Sequence, residues 1–337
     1  MDELVATMAI VCTLAFLMGY SINQGGTCAV AAVHEVLHRR RCGRLVGLMA
    51  ASAAAGLVAA PLAWSGFADA NLAATVGIGV TVISGAVVFA IGAIINDACL
   101  LGSLGRLGNG EIRFAALPVG LAGGFLAVAA VGFEQHPVGV SILAAPGVVA
   151  GLALLGFALI LVLALWFLSG RRQSKPSSGQ WSPGTAMIVL GLSGGAIYAM
   201  APGWTYADFV QRSLPLPMAV ADETAALTVT ATVAGAIAAA CRRRTWRLRR
   251  GTLADIGKTL LGGGLMGFGV GTIPGGNDGL VLAAVPSLSP GGVAAHVTMM
   301  LSIMAVLAAR LHWQRCRSGK SHLKAQRGLS QPGPAGD

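Results

Sequence analysis

Charged residues are scarce in this chain: only 11% of its 337 residues are Asp, Glu, Lys or Arg, and only 6% are aromatic. A typical soluble domain has about 25% charged residues. In contrast, 55% of the residues are hydrophobic and the mean hydropathy is +0.73. This composition excludes an ordinary soluble protein and predicts an all-α polytopic protein embedded in a lipid bilayer.

Metal-binding and nucleotide-binding signatures are also missing from the sequence. The six cysteines form no CxxC pair and no Cys/His spacing that binds zinc. No nucleotide-binding motif is visible either. We therefore expect no metal site and no cofactor, and we expect a protein that is not an enzyme.

The net charge of +10 does not indicate nucleic acid as a partner, because the basic residues cluster in short segments between apolar runs. This is the distribution of the positive-inside rule. It places the N-terminus outside and the C-terminus in the cytoplasm, in what we expect to be a bacterial inner membrane. The clusters lie at Arg39–Arg44, Arg171–Lys175, Arg242–Arg250 and Arg310–Arg327.

Apolar runs of about 20 residues predict nine transmembrane helices. We place them at 4–22, 45–64, 73–95, 114–133, 146–168, 185–201, 219–240, 254–273 and 291–311. Four shorter apolar segments have the length of re-entrant half-helices. These are 26–38, 97–107, 203–213 and 276–287.

A single polar linker, "SGRRQSKPSSGQWSPG", divides the chain. It predicts a first transmembrane half at 1–168, with four spans and a connecting fifth, and a cytoplasmic linker at 169–184. A second transmembrane half then occupies 185–311. The polar C-terminal segment 312–337 is predicted to be a disordered cytoplasmic tail.

Four glycine-containing breaks recur at corresponding places in the two halves. Two of them end at Cys28 and Cys99, which are 71 residues apart, and the other two contain Trp204 and Asn277, which are 73 apart. The halves have opposite predicted orientations, so the similar spacing predicts two inverted repeats. Broken helices at corresponding positions indicate the binding site of a transporter. The breaks are "GYSINQGGTC", "GAIINDAC", "GGAIYAMAPGWT" and "GVGTIPGGNDG".

A half-helix that begins at a break directs free amide groups and a positive dipole towards the break, which favours an anion. Cys28 and Cys99 add thiols there, and a thiol matches a soft, sulfur-bearing anion better than phosphate. Glycines would let the anion approach the backbone. The alternative is that both cysteines merely fill space. The glycines concerned are Gly25, Gly26, Gly275 and Gly276.

An Asn-Asp pair occurs at the second break of each half, at Asn96–Asp97 and at Asn277–Asp278. Carboxylates inside a membrane are costly and usually functional. Asp97 and Asp278 are therefore pathway candidates, although each could equally cap the half-helix that follows it.

The stretches "INDACLLGSLGRLGNGEIRF" and "IPGGNDGLVLAAVPSLSP", together with "GGTC", resemble the YeeE/YedE family of bacterial inner-membrane transporters of thiosulfate and related sulfur compounds. The resemblance implies an hourglass of nine spans with cysteines at a central constriction, past which thiosulfate moves by S–H···S contacts. It implies that Cys28 and Cys99 are two of three such cysteines. Asn277 stands where the third belongs, which puts a three-thiol relay in doubt.

The leading hypothesis is therefore a transporter or channel for thiosulfate or a related sulfur-containing anion. The alternatives are a membrane-embedded sulfur relay, a sulfur-sensing scaffold, and a transporter of another anion such as a selenium compound. A cytoplasmic sulfur-carrier protein is a further expected partner, implied by the resemblance.

Overall fold

The computed structural model describes residues 2–133, 137–170, 179–201, 205–214 and 223–329, and within these residues every regular element is a helix. The elements are α1 (Asp2–Gly25), α2 (Ala29–Arg39), α3 (Gly43–Ser65), α4 (Val80–Ile95), α5 (Leu100–Gly108), α6 (Leu117–Val131), α7 (Val148–Ser169), α8 (Pro183–Met200), α9 (Tyr206–Arg212), α10 (Glu223–Arg242), α11 (Leu253–Thr272), α12 (Asn277–Gly279) and α13 (Pro290–Leu329).

The all-α polytopic fold is confirmed, because eight helical segments are long and apolar enough to cross a membrane. The predicted span at 254–273 coincides with α11, which is not among those eight. This helix has sufficient length but contains seven glycines and the charged Asp255 and Lys258. It lies against α4 and α6, so its polar backbone is covered by protein.

Two predicted boundaries differ from the structure. The apolar pattern predicts that a span starts at residue 73, but α4 begins only at Val80. The preceding chain is extended because Thr75 exchanges backbone hydrogen bonds with the segment around Gly139. At the other end of the chain, α13 continues to Leu329, into the segment predicted as a disordered tail.

The contacts between helices follow the symmetry that an inverted repeat predicts. Helix α1 packs against α10, and the corresponding pair in the other half is α8 against α3. Likewise, α6 packs against α11, and the corresponding pair is α13 against α4. The repeat exchanges each helix of the first half with its counterpart in the second half. The pairs α1–α8 and α4–α11 consist of such counterparts, so they lie at the centre of the repeat. Each central pair joins the two halves of the chain.

Glycines allow these helices to approach closely. A Cβ atom at Gly92 of α4 would lie 2.6 Å from the backbone oxygen of Gly262 on α11. Between α3 and α8, a Cβ atom at Gly195 would lie 2.6 Å from the Cα atom of Ala55. The hydrophobic effect does not drive the association of helices in lipid. Small residues at such positions instead allow van der Waals contact between the helix backbones, and this contact stabilises the packing.

The basic segments between helices that the structure describes meet at one end of the bundle, which we call the basic face. Arg243, after α10, donates to the backbone oxygen of Asn23 at 2.9 Å. The segment after α5 pairs with the segment before α11 through a bridge between Glu111 and Arg249. The opposite end is formed by other connections, where Gly291 donates to Val76.

Candidate functional site

Two half-helices begin at the two cysteines that the sequence singled out. Cys28 is the N-cap residue of α2, and Cys99 is the N-cap residue of α5. The chain leaves α1 through Gly26, whose φ of +58° lies in the left-handed region that glycine adopts without strain. The break predicted from "GGTC" is therefore a real interruption between two helices.

The fold brings the two thiols into contact. The Sγ atom of Cys99 lies 3.5 Å from the Sγ atom of Cys28, although the residues are 71 positions apart. The amide of Ala29, the first residue of α2, donates to Cys99 Sγ at 3.3 Å. Both cysteines are free and buried. The sulfur of one half-helix thus occupies the N-terminus of the other.

A glycine on α5 makes room for this pair. A Cβ atom at Gly102 would lie 2.6 Å from Cys28 Sγ and 2.8 Å from Cys28 Cβ. Any larger residue would push the Cys28 side chain away from its position beside Cys99. Gly102 is not among the residues predicted from the sequence, where its only signal is a glycine one turn after the second thiol.

Asn277 completes the cluster from the second half of the chain. Its side-chain oxygen Oδ1 accepts a hydrogen bond of 3.1 Å from the amide of Leu100, the first residue of α5. Gly275 (φ +86°) turns the chain after α11, and Gly276 is the N-cap residue of α12. We call Cys28, Cys99 and Asn277 the constriction cluster, since all three side chains meet at half-helix N-termini.

The four glycines predicted to expose backbone to a ligand differ in their surroundings. A Cβ atom at Gly26 would meet only the guanidinium group of Arg44, 3.9 Å away, and Gly26 lines a cavity. The corresponding space at Gly25 is bounded by Met187, 3.1 Å away, and that at Gly276 is filled by the side chains of Leu100 and Asp278. Gly275 supplies the turn. Only Gly26 therefore offers a ligand unobstructed backbone in this structure.

The two aspartates of the Asn-Asp pairs occupy opposite environments. The Asp97 side chain is 60% exposed and lies 3.8 Å from the guanidinium of Arg113. Asp278 is only 5% exposed, and its Oδ1 atom has no hydrogen-bond partner among the described residues. Neither occupies an N-cap position, because Cys99 and Gly276 do so. The Asp278 carboxyl group nevertheless lies near the backbone amides of Asp278 and Gly279 at the start of α12, which is compatible with the capping alternative.

A cavity of about 290 Å³ leads from Cys28 towards the basic face, and Arg44, Asp97 and Arg106 line it. A second cavity of about 330 Å³ shares Arg44 and Asp97 with the first and adds four more ionisable side chains. We call these two cavities together the basic vestibule. The residues that only the second cavity contributes include His34, Glu35, Arg39 and Arg310.

The vestibule carries a positive excess, because four arginines line it against Glu35 and Asp97. Arg106 is held by Glu111 at 2.9 Å, and Arg44 lies 3.5 Å from Glu35. Arginines near a water-filled passage attract anions from solution. From the sequence, Arg106 is interpreted as part of a solvated loop with an ion pair, with attraction of an anion at a pore mouth as the alternative, and Arg44 is interpreted only as a topology signal.

Trp204, which belongs to the third predicted break, lies outside the described residues. The break itself is present, because α8 ends at Met200 and α9 begins at Tyr206 after the N-cap residue Thr205.

Comparison with known protein families gives one match. A family model described as "Sulphur transport" matches residues 24–305. The matched region starts at the last turn of α1 and ends within α13, so it contains three of the four breaks, the "GGTC" end of the first break and the constriction cluster. A comparison with curated proteins gave no match.

Proposed function

The chain belongs to the sulphur transport family, and from this premise we propose that it moves thiosulfate or a related sulfur-containing anion across the membrane past the paired thiols of Cys28 and Cys99. The multi-pass helical fold is that of a membrane protein. The observation that carries the proposal is the 3.5 Å contact between two free thiols, each at the N-terminus of a half-helix.

The chemistry of the site favours a soft anion over phosphate or sulfate. Phosphate sites are typically built from backbone amides, Arg and hydroxyl groups. At the constriction cluster, the amide of Ala29 is already directed at a sulfur atom. Thiols are weak donors with polarisable sulfur. A thiosulfate sulfur can replace one thiol in that contact, so the amide exchanges one sulfur partner for another.

The basic vestibule supports delivery of a doubly charged anion to this point. Arg44 and Arg106 line the cavity that reaches Cys28. Salt would screen the attraction between an anion and a Lys or Arg pair at an exposed surface. Charges that line a recess are separated from the anion by less water, so their attraction is screened less. We propose that the anion exchanges between the vestibule and the thiols.

Passage requires the constriction cluster to separate. The thiols touch, and the amide of Leu100 is bonded to Asn277. Beyond them, the cavity that Asp278 lines holds only about 10 Å³, too little for an anion of several heavy atoms. We propose that the structure represents a closed state, in which each half-helix N-terminus is covered by a side chain that an anion displaces.

Orientation and partners follow from the basic face as further parts of the proposal. The positive-inside rule places that face in the cytoplasm of a bacterial cell, with the N-terminus outside and the C-terminus inside. A soluble sulfur-carrier protein would meet the vestibule there. Its docking would put a carried sulfur atom next to Arg44 and Arg106.

The decisive experiment is uptake of ³⁵S-thiosulfate by proteoliposomes containing the wild-type chain, Cys28→Ser, Cys99→Ser or the matched control Cys12→Ser. Cys12 lies within α1, away from the break. We expect uptake by the wild type and the control, and loss of most uptake in the two constriction variants. Equal uptake by all four proteins would contradict the thiol pathway.

The same preparation discriminates the alternatives. Absence of wild-type uptake, with a persulfide on Cys28 detected by mass spectrometry after thiosulfate exposure, would assign the pair to sulfur relay instead. Uptake that an excess of sulfate or phosphate abolishes would contradict selectivity for sulfur-bearing anions.

A further inference from the structure

Asp278 is a buried carboxyl group next to the constriction cluster. It is 5% exposed, and its Oδ1 atom has no hydrogen-bond partner among the described residues. The backbone amides of Asp278 and Gly279 approach the carboxyl group from the start of α12. None of the ion pairs found in the described part of the chain includes Asp278. Within the described part of the chain, this carboxyl group therefore forms no ion pair with a cation.

The surroundings of Asp278 make a permanent negative charge costly. Asp208 of α9 lies close enough for the two carboxyl charges to interact, and the phenol of Tyr198 lies beside Gly279. Among the described residues, these are the titratable groups that interact with Asp278, and Arg212 of α9 lies near Asp208. The small cavity that Asp278 lines is otherwise formed by Thr232 and apolar side chains. Those apolar residues are Met18, Ile22, Leu100, Leu101, Leu104 and Val229. A buried carboxylate beside a second carboxylate is neutralised most readily by a proton.

A metal cation fits this site poorly. Hard cations such as Ca²⁺ or Mg²⁺ bind about six or more oxygen ligands. The cavity offers the carboxyl group of Asp278 and the hydroxyl of Thr232, and that hydroxyl already donates to the backbone oxygen of Thr228 at 2.8 Å. With a volume of about 10 Å³, the cavity accommodates at most one water molecule. A proton needs no such coordination.

The position of Asp278 connects its charge to the anion pathway. It follows Asn277, whose side chain holds the amide of Leu100, and Leu100 follows Cys99. An anion at the thiols and a carboxylate at Asp278 would repel each other across low-dielectric protein. The ionised carboxyl group therefore favours release of the anion, and the bound anion favours protonation of the carboxyl group. A protonated Asp278 does not repel the anion. This is the reciprocal relation on which coupling between two ligands depends.

Resting on the proposed transport function, we propose that Asp278 is the proton-binding site that couples movement of the anion to movement of a proton. A dianion that crosses alone moves two charges, and each costs about 2.3 kcal/mol per 100 mV against the membrane potential. A proton carried with it cancels one of these charges. Coupling ions in transporters bind at broken helices near the substrate, which is where α12 places Asp278.

Two assays on the same proteoliposomes test this proposal: exchange of labelled for unlabelled thiosulfate without any gradient, and net uptake driven by an acidic exterior. The wild-type chain should perform both, and its net uptake should acidify the lumen. One proton per anion raises the accumulation ratio up to about tenfold per pH unit. In Asp278→Asn, exchange should persist while the effect of the pH gradient disappears.

Asp278→Glu and Asp69→Asn are the companion variants. Asp278→Glu retains a titratable group and should retain the gradient effect. Asp69 is exposed and lies at the end of the bundle opposite the basic face, so Asp69→Asn should behave as the wild type. Gradient-dependent uptake in Asp278→Asn would overturn the proposal.

A wild-type chain that exchanges thiosulfate but neither responds to the gradient nor acidifies the lumen would also overturn the proposal, whatever the folding of the variants. In that case the transport function would stand. No exchange by the wild type would instead contradict the transport function itself.

Discussion

The amide of Leu100 donates a hydrogen bond of 3.1 Å to the side-chain oxygen of Asn277, which lies 177 positions later in the chain. This bond joins the N-terminus of a half-helix in the first half to the break of the second half. The amide is buried, so without a partner it would cost about 1–3 kcal/mol. A thiol at position 277 would accept this bond more weakly than an amide oxygen does.

Asn277→Ala should therefore destabilise the protein by about 1–3 kcal/mol, because it leaves the Leu100 amide without an acceptor. The unfolding temperature of the detergent-solubilised protein measures this effect. The matched control is Asn71→Ala, since Asn71 is exposed and its side chain donates only to the nearby backbone oxygen of Asp69. Equal unfolding temperatures for the two variants would show that the Leu100–Asn277 bond contributes nothing to stability.

The places where helices break could be predicted from the sequence, because the glycines before Cys28 and the Asn-Asp pair before Cys99 lower the helix propensity of an apolar segment and permit the backbone to turn there. The structure begins α2 and α5 directly after Cys28 and Cys99, within the predicted short segments 26–38 and 97–107. Three-dimensional relationships between breaks could not be predicted in this way. That the Ala29 amide faces Cys99, rather than its own N-cap residue, depends on how α2 and α5 cross.

The Asn-Asp pairs show where local patterns fail. Asp97 and Asp278 follow the same residue type at corresponding breaks, yet one is exposed and ion-paired whereas the other is buried. Burial is decided by neighbouring helices, which no local motif specifies. Arg44 is a similar case, because its sequence neighbours indicate only a membrane-flanking position, whereas the fold turns it into the lining of the basic vestibule.

Gly102→Ala should reduce thiosulfate uptake about tenfold. The added methyl group would lie 2.6 Å from Cys28 Sγ and 2.8 Å from Cys28 Cβ, so the Cys28 side chain must rotate and the start of α2 must shift. That rotation separates the two thiols, and a barrier increase of about 1.4 kcal/mol corresponds to tenfold in rate. Gly123→Ala on α6 is the control, because the Cβ position there has no neighbour within 4 Å. Unchanged uptake in Gly102→Ala would mean that the thiol contact is not needed for passage.

Gly92→Leu should destabilise the protein by at least about 2 kcal/mol, because its side chain would enter the contact between α4 and the backbone of Gly262 on α11. The control Gly151→Leu places the same side chain on exposed α7, where nothing lies within 4 Å. Helix propensity favours both substitutions equally, so the difference in unfolding temperature reports packing alone. Similar unfolding temperatures would contradict close packing of the central helix pair.

The basic vestibule should make Cys28 react faster with an anionic than with a cationic methanethiosulfonate reagent of similar size. The measurement uses a chain in which Cys28 is the only cysteine and follows modification by mass spectrometry. Arg44 and Arg106 line the route to the thiol, and one nearby charge contributes about 1 kcal/mol, or roughly fivefold in rate. Each arginine speeds the anionic reagent and slows the cationic one, so replacing both by Gln should reduce the ratio of the two rates by well over an order of magnitude.

Two controls apply to this last prediction: a change of ionic strength, and removal of a positive charge at another position on the basic face. High ionic strength should lower the ratio of rates in the arginine-containing chain, because salt screens the attraction. Arg247→Gln removes a charge from the same basic face but outside the vestibule lining, so it should leave the ratio nearly unchanged. If Arg247→Gln lowered the ratio as much as Arg44→Gln, the selectivity would arise from the general charge of the face and the vestibule would have no specific role.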